Sequence, residues 1–171
     1  MLESTPAARP PVRTADRRFG LGVALVTPFA RDGSVDLARL VAHARNCLDE
    51  GCSTVTLFGT TGEGPSFSVA ERRDAVNALV AGGVPAARIL VSVSCAAVPD
   101  TLALVRHAQD SGAWGVLLMP PFFFKGVSDE GIVESYRQVL DATSDRPLRV
   151  VLYNIPQVSA VGLSHGVIAE L

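Results

Sequence analysis

The chain has 171 residues, of which 48% are hydrophobic and 19% charged, and its formal net charge is -2 at pH 7. This length allows one domain with a sizeable core, but it is short of the roughly 250 residues of a complete (β/α)8 barrel. The small net charge and the scattered arginines argue against nucleic-acid binding, and no apolar run approaches the ~18 residues that cross a bilayer.

The first 18 residues carry three prolines and lack the apolar stretch of a signal peptide, so we expect residues 1–18 to form a mobile tail. Residues 19–171 are then expected to form one domain.

The cysteines are Cys47, Cys52 and Cys95, an odd number without CxxC spacing. This usage favours reduced thiols in a cytoplasmic protein over disulfides or a zinc site.

From Phe19 onward, short apolar runs alternate with stretches of helical period, which is typical of repeated βα units around a parallel sheet. The predicted strands cover residues 20–26, 53–58, 89–93, 115–119 and 149–152. The predicted helices cover 36–50, about 99–111 and 129–140, with further helices beginning near Ser68 and Ser164. Ser68 and Glu71 also have capping-box spacing. The pattern predicts about the first five βα units of a (β/α)8 barrel, with a doubly wound open sheet as the alternative.

The polar and glycine-rich segments follow the carboxyl ends of the strands, where a βα barrel carries its active site. In residues 59–64 (GTTGEG), the glycines allow a ligand to approach the backbone, and Thr60 and Thr61 add hydroxyl donors. The loop by itself predicts anion binding and simple helix capping about equally. A nucleotide-phosphate loop is disfavoured because no Lys-Ser or Lys-Thr follows the glycines.

Tyr153 comes at the end of the fifth predicted strand, followed by Asn154-Ile155-Pro156. A phenol in this place can act as a general acid or base, although a tyrosine at a strand end is more often a packing residue with a satisfied hydroxyl.

The histidines His43, His107 and His165 show no metal-ligand spacing, so no metal site is expected.

The ordered motifs in residues 25–29 (LVTPF), 32–33 (DG), 59–63 (GTTGE) and 153–156 (YNIP) give the chain a resemblance to a known family. From about Phe19 to Leu171 it resembles the N-terminal portion of the dihydrodipicolinate synthase and N-acetylneuraminate lyase family, the class I, Schiff-base-forming aldolases.

This resemblance implies a homotetrameric barrel in which a lysine forms a Schiff base with pyruvate or another 2-oxo acid, with an aldehyde as second substrate or product. No metal or organic cofactor is implied. Thr61 would bind the oxo-acid carboxylate through its hydroxyl and backbone N–H, within a substrate loop that includes Gly59 and Gly62. Thr60 would hydrogen-bond Tyr153, which would move protons at the imine and at the reacting carbon–carbon bond.

The Schiff-base lysine of the family lies at the end of the sixth strand, roughly 30 residues beyond Tyr153 and thus past Leu171. The only lysine of the chain is Lys125, which follows an aromatic loop and is expected to be a surface or interface charge. We therefore expect the chain as given to contain no Schiff-base lysine and to be inactive.

Two positions depart from the synthases of the lysine pathway. The family's relay tyrosine after the fourth strand is replaced by Phe123, and Val158 stands where an arginine would hold the aldehyde's carboxylate. Both argue for a lyase or aldolase that uses a different aldehyde. The alternative hypothesis is a non-catalytic carboxylate-binding module or pseudoenzyme.

Overall fold

The computed structural model describes residues 20–171, so the tail expected over residues 1–18 lies outside the described residues. Five strands form one parallel sheet, and helices follow them. The strands are β1 (Gly22–Ala24), β2 (Thr54–Leu57), β3 (Ile89–Ser92), β4 (Gly115–Leu118) and β5 (Val150–Leu152). The helices are α1 (Leu37–Asp49), α2 (Val69–Ala81), α3 (Val98–Ser111), α4 (Asp129–Ala142), α5 (Pro156–Ser159) and α6 (His165–Glu170).

The order of strands in the sheet follows the chain, β1-β2-β3-β4-β5, and every neighbouring pair is parallel. A doubly wound sheet would place β1 in its interior and reverse direction there. Successive helices instead pack on one another, α1 on α2, α2 on α3 and α3 on α4, which puts them on one side of the sheet. The predicted fold class, the first five units of a (β/α)8 barrel, is therefore confirmed.

The three central strands β2, β3 and β4 are buried at every position, whereas β1 and β5 are more exposed. Helices cover one face of the central strands, and the residues of that face form the core together with the inner stripes of α1 to α4. Among the described residues, β1 and β5 are each paired on one side only. They form the two edges of the sheet.

Local signals explain where the helices begin. The predicted capping box is present: Ser68 N donates to Glu71 Oε2 at 2.9 Å, and Glu71 N donates to Ser68 Oγ at 3.2 Å. Asp36 and Ser128 accept a backbone N–H at the starts of α1 and α4 in the same way. The single turn of α5 was not predicted, because four residues are too few to show a helical period.

Candidate active site

The loops after β2 and β5 meet at the carboxyl end of the sheet. Thr60 Oγ1 lies 3.1 Å from the hydroxyl oxygen of Tyr153, within hydrogen-bond distance. Two strands, β3 and β4, separate β2 from β5, and a flat sheet would hold those strands roughly 14 Å apart at ~4.8 Å per strand. The contact therefore requires that the sheet curl, as the wall of a barrel does.

Residues 59–64, which we call the threonine loop, pack tightly against Leu25 at the end of β1. A Cβ added to Gly62 would lie 2.9 Å from the carbonyl oxygen of Leu25, and one added to Gly64 would lie 2.0 Å from that of Phe58. The carbonyl oxygen of Gly62 also accepts a 2.7 Å hydrogen bond from the buried hydroxyl of Thr27. These contacts fix the backbone of the loop. Thr27 contributes to this through its hydroxyl, a role that the sequence did not indicate.

The residue before the loop, Phe58, has a left-handed backbone with φ +58°, which is uncommon for a side chain of this size. It is buried, and its ring lies 5.3 Å from that of Phe67, centroid to centroid. Tertiary packing thus holds a strained conformation at the point where β2 turns into the threonine loop.

The predicted substrate residues differ in their surroundings. Thr61 is exposed, and within residues 20–171 its hydroxyl makes no hydrogen bond, so it is free to donate to a ligand. Gly59 is buried, but a Cβ added there would meet only Thr56 Cγ2, at 4.0 Å. Close packing therefore requires glycine at Gly62 and does not require it at Gly59.

A buried arginine lies behind the loop. Arg72 of α2 is 2% exposed and donates to the carbonyl oxygens of Ser92 and Ser94 at the end of β3, and Cys95 Sγ lies 3.3 Å from its Nη1. Burial lowers the pKa of Arg72 from its usual value, and the Cys95 thiol acts in the opposite direction. The sequence contained a signal for it: Arg72 falls on the apolar stripe that Ala75, Val76 and Leu79 continue.

Two hydrogen bonds, each donated by a backbone N–H, anchor the Tyr153 side of the site. Tyr153 N donates to the carbonyl oxygen of Leu118 at 2.9 Å, and Leu163 N donates to Asn154 Oδ1 at 3.1 Å.

The two positions that depart from the lysine-pathway synthases are exposed: Phe123 is 68% and Val158 is 54% exposed.

A cavity of about 480 Å³ lies between α3 and α4 where β3 and β4 end. Cys95, Met119, Phe122 and Glu134 are among its lining residues, whereas Thr60, Thr61 and Tyr153 are not. Thr60, Thr61 and Tyr153 therefore lie at the carboxyl end of the sheet but outside this cavity.

Neither a metal cluster nor a membrane span was found in the part of the chain that the structure describes. Residues 20–171 contain no group of three or more His, Cys, Asp or Glu side chains placed to hold a metal ion. None of the helices described there is long and apolar enough to cross a membrane.

The chain is similar to known proteins over nearly its whole length. An uncharacterized DapA-like lyase of Chloroflexus aurantiacus is 40% identical over 89% of this chain and 50% of its own length. A 4-hydroxy-tetrahydrodipicolinate synthase of Corynebacterium jeikeium is 34% identical over 84% of this chain and 47% of its own length. The chain thus spans about half the length of the curated relatives it matches.

Solved structures give the same result. The crystal structure of dihydrodipicolinate synthase from Agrobacterium tumefaciens has a TM-score of 0.86 and 41% identity, with 90% of this chain and 54% of that chain covered. A sequence profile of the dihydrodipicolinate synthetase family matches residues 18–171. The ordered motifs, the barrel order of the strands and these matches lead to one conclusion: the chain belongs to the dihydrodipicolinate synthetase family.

Proposed function

We propose that the full-length protein is a Schiff-base lyase or aldolase that acts on pyruvate or another 2-oxo acid. Its barrel domain would begin with residues 19–171 and close across the open edges of β1 and β5, and it would assemble as a cytoplasmic homotetramer. The observation that carries the proposal is the 3.1 Å contact between Thr60 Oγ1 and Tyr153 OH, made across 93 residues of sequence.

In the proposed reaction, the amine of a lysine outside the present chain attacks the 2-oxo carbon and expels water, which leaves an iminium ion. The iminium draws electrons from the adjacent carbon, so that carbon can lose a proton, or its bond to the aldehyde portion can break. Tyr153 gives and takes the protons of these steps, and Thr60 holds the phenol in place. Thr61 binds the carboxylate of the oxo acid through its hydroxyl and N–H.

The side chains at the rim restrict the second substrate. Val158 is apolar and Phe123 has no hydroxyl, so neither can pair with the carboxylate of an aldehyde or extend the proton relay. We therefore propose an aldehyde that needs no cation at Val158, such as the aldehyde portion of a sugar acid or hydroxy acid.

Borohydride trapping tests this function. Full-length protein treated with pyruvate and borohydride should gain the mass of a reduced adduct on one lysine, and peptide mapping should place it outside residues 1–171. A Thr61→Val variant should trap more slowly because it lacks the carboxylate-binding hydroxyl. Binding of pyruvate by calorimetry without any adduct would contradict the proposal and establish the non-catalytic carboxylate-binding module in its place.

A further inference from the structure

Lys125 joins the two loops that follow β4 and β5. Its Nζ donates to the carbonyl oxygen of Phe122 in its own loop and, at 2.9 Å, to that of Ser159, the last residue of α5. Among the described residues no carboxylate lies within ion-pair distance of Lys125, so these two carbonyls are the partners of its charge.

The contact with Ser159 meets a need of α5. The last carbonyls of a helix have no partner inside the helix and carry a partial negative charge, which a cation stabilises. Ser159 is 2% exposed, so water has little access to this residue. Its hydroxyl donates to Val161 O at 2.7 Å, which fixes the chain as it leaves α5.

The segment held in this way begins at the proposed proton-transfer residue. Tyr153 N to Leu118 O attaches the start of residues 153–163 to β4, and Leu163 N to Asn154 Oδ1 joins the two ends of the segment to each other. Val161 and Leu163 also pack in the core. Among the hydrogen bonds of the described residues, only Lys125 Nζ to Ser159 O attaches the middle of the segment to the loop after β4.

We propose that Lys125 is a positioning residue that fixes residues 153–163 against the loop after β4 and so holds the Tyr153 hydroxyl opposite Thr60. This inference rests on the proposed function, because the placement of Tyr153 affects turnover only if its phenol transfers protons. Lys125 is exposed, as expected from the sequence for a surface charge, and the inference adds a positioning role to that expectation.

The test compares full-length wild-type protein with Lys125→Met, Lys125→Arg and Arg45→Met. Methionine keeps most of the length of lysine without its donors, whereas arginine keeps both charge and donors. Arg45 is an exposed residue of α1 for which the described residues offer no ion pair, so Arg45→Met controls for the loss of one positive charge.

We expect Lys125→Met to lower kcat by about tenfold or more, because a displacement of ~1 Å can cost up to 10²-fold. The KM for pyruvate should change less than about twofold, because Thr61 lies on another loop. Lys125→Arg should recover most of kcat. Amide hydrogen exchange in residues 154–163 should be faster in Lys125→Met alone, a readout that needs no turnover.

If Lys125→Met has the same kcat as the wild type, the positioning role is overturned, whether or not amide hydrogen exchange is faster. An equal loss of kcat in Arg45→Met would also overturn it, since charge alone would then explain the effect. If the wild type forms no adduct with pyruvate, the proposed function fails. Exchange in residues 154–163 then decides separately whether Lys125 holds the segment.

Discussion

The guanidinium carbon of Arg72 lies 5.7 Å from the centre of the Phe58 ring. Phe58 immediately precedes the threonine loop in a left-handed conformation, and Arg72 also bonds the carbonyls that end β3. One buried cation thus contacts both the entrance of the threonine loop and the neighbouring strand end.

Replacement of Arg72 should destabilise the protein. We expect Arg72→Ala to lower the free energy of unfolding by about 2–4 kcal/mol, because it opens a cavity and leaves the carbonyls of Ser92 and Ser94 without a donor. Urea unfolding of the full-length protein measures the change. The neighbouring exposed Arg73 provides the control, and Arg73→Ala should stay within about 0.5 kcal/mol of wild type. Equal effects at the two positions would contradict the prediction.

Tyr153→Phe should slow turnover by ~10²- to 10⁴-fold, as expected when a proton-transfer group is lost, with folding largely retained. The measurement is kcat of the full-length protein. Tyr136, the other tyrosine of the chain, is the matched control. Its buried hydroxyl donates to Leu118 O at 3.0 Å, so Tyr136→Phe should cost about 1 kcal/mol of stability and little activity. Similar kcat values for the two variants would argue against a role for Tyr153.

Gly62→Ala should be more harmful than Gly59→Ala. The new methyl at Gly62 would lie 2.9 Å from Leu25 O and 3.1 Å from Phe58 N, whereas the one at Gly59 meets only Thr56 Cγ2 at 4.0 Å. Overpacking of this kind costs about 1–3 kcal/mol, so the urea midpoint should fall for Gly62→Ala and change little for Gly59→Ala. If Gly59→Ala lowered the urea midpoint more than Gly62→Ala, the close approach at Gly62 would not be a constraint.

The capping box at the start of α2 should make stability depend on pH. Hydrogen bonds from the Ser68 hydroxyl and N–H hold the pKa of the exposed Glu71 below its ordinary value of 4.5. Its contribution is therefore present above pH 4.5 and is lost as the pH falls through the lowered folded-state pKa. Melting temperatures of wild type and Glu71→Gln should differ at pH 7 and converge under acid conditions. Ser68→Ala should weaken the same dependence, and a constant difference across the pH range would contradict this account.

The sequence by itself determined most of the fold. Apolar runs and helical stripes predicted all five strands and α1 to α4, because these elements depend on local periodicity and on local signals such as the Ser68–Glu71 box. The ordered motifs also placed Thr60, Thr61 and Tyr153 at strand ends. Periodicity could not choose between a barrel and a doubly wound sheet, since both repeat the same unit; the sequential strand order decided it.

Only the tertiary structure decided which groups meet. Three contacts join residues on different elements: Arg72 with the Phe58 ring, Lys125 with Ser159, and Gly62 with Leu25. The last of these is the reason that Gly62, and not Gly59, is closely packed. Such contacts depend on how far the sheet curls and how the loops pack, which no local sequence pattern specifies. The family resemblance already implied that Thr60 pairs with Tyr153, and the curvature that brings the ends of β2 and β5 together is the physical reason for that contact.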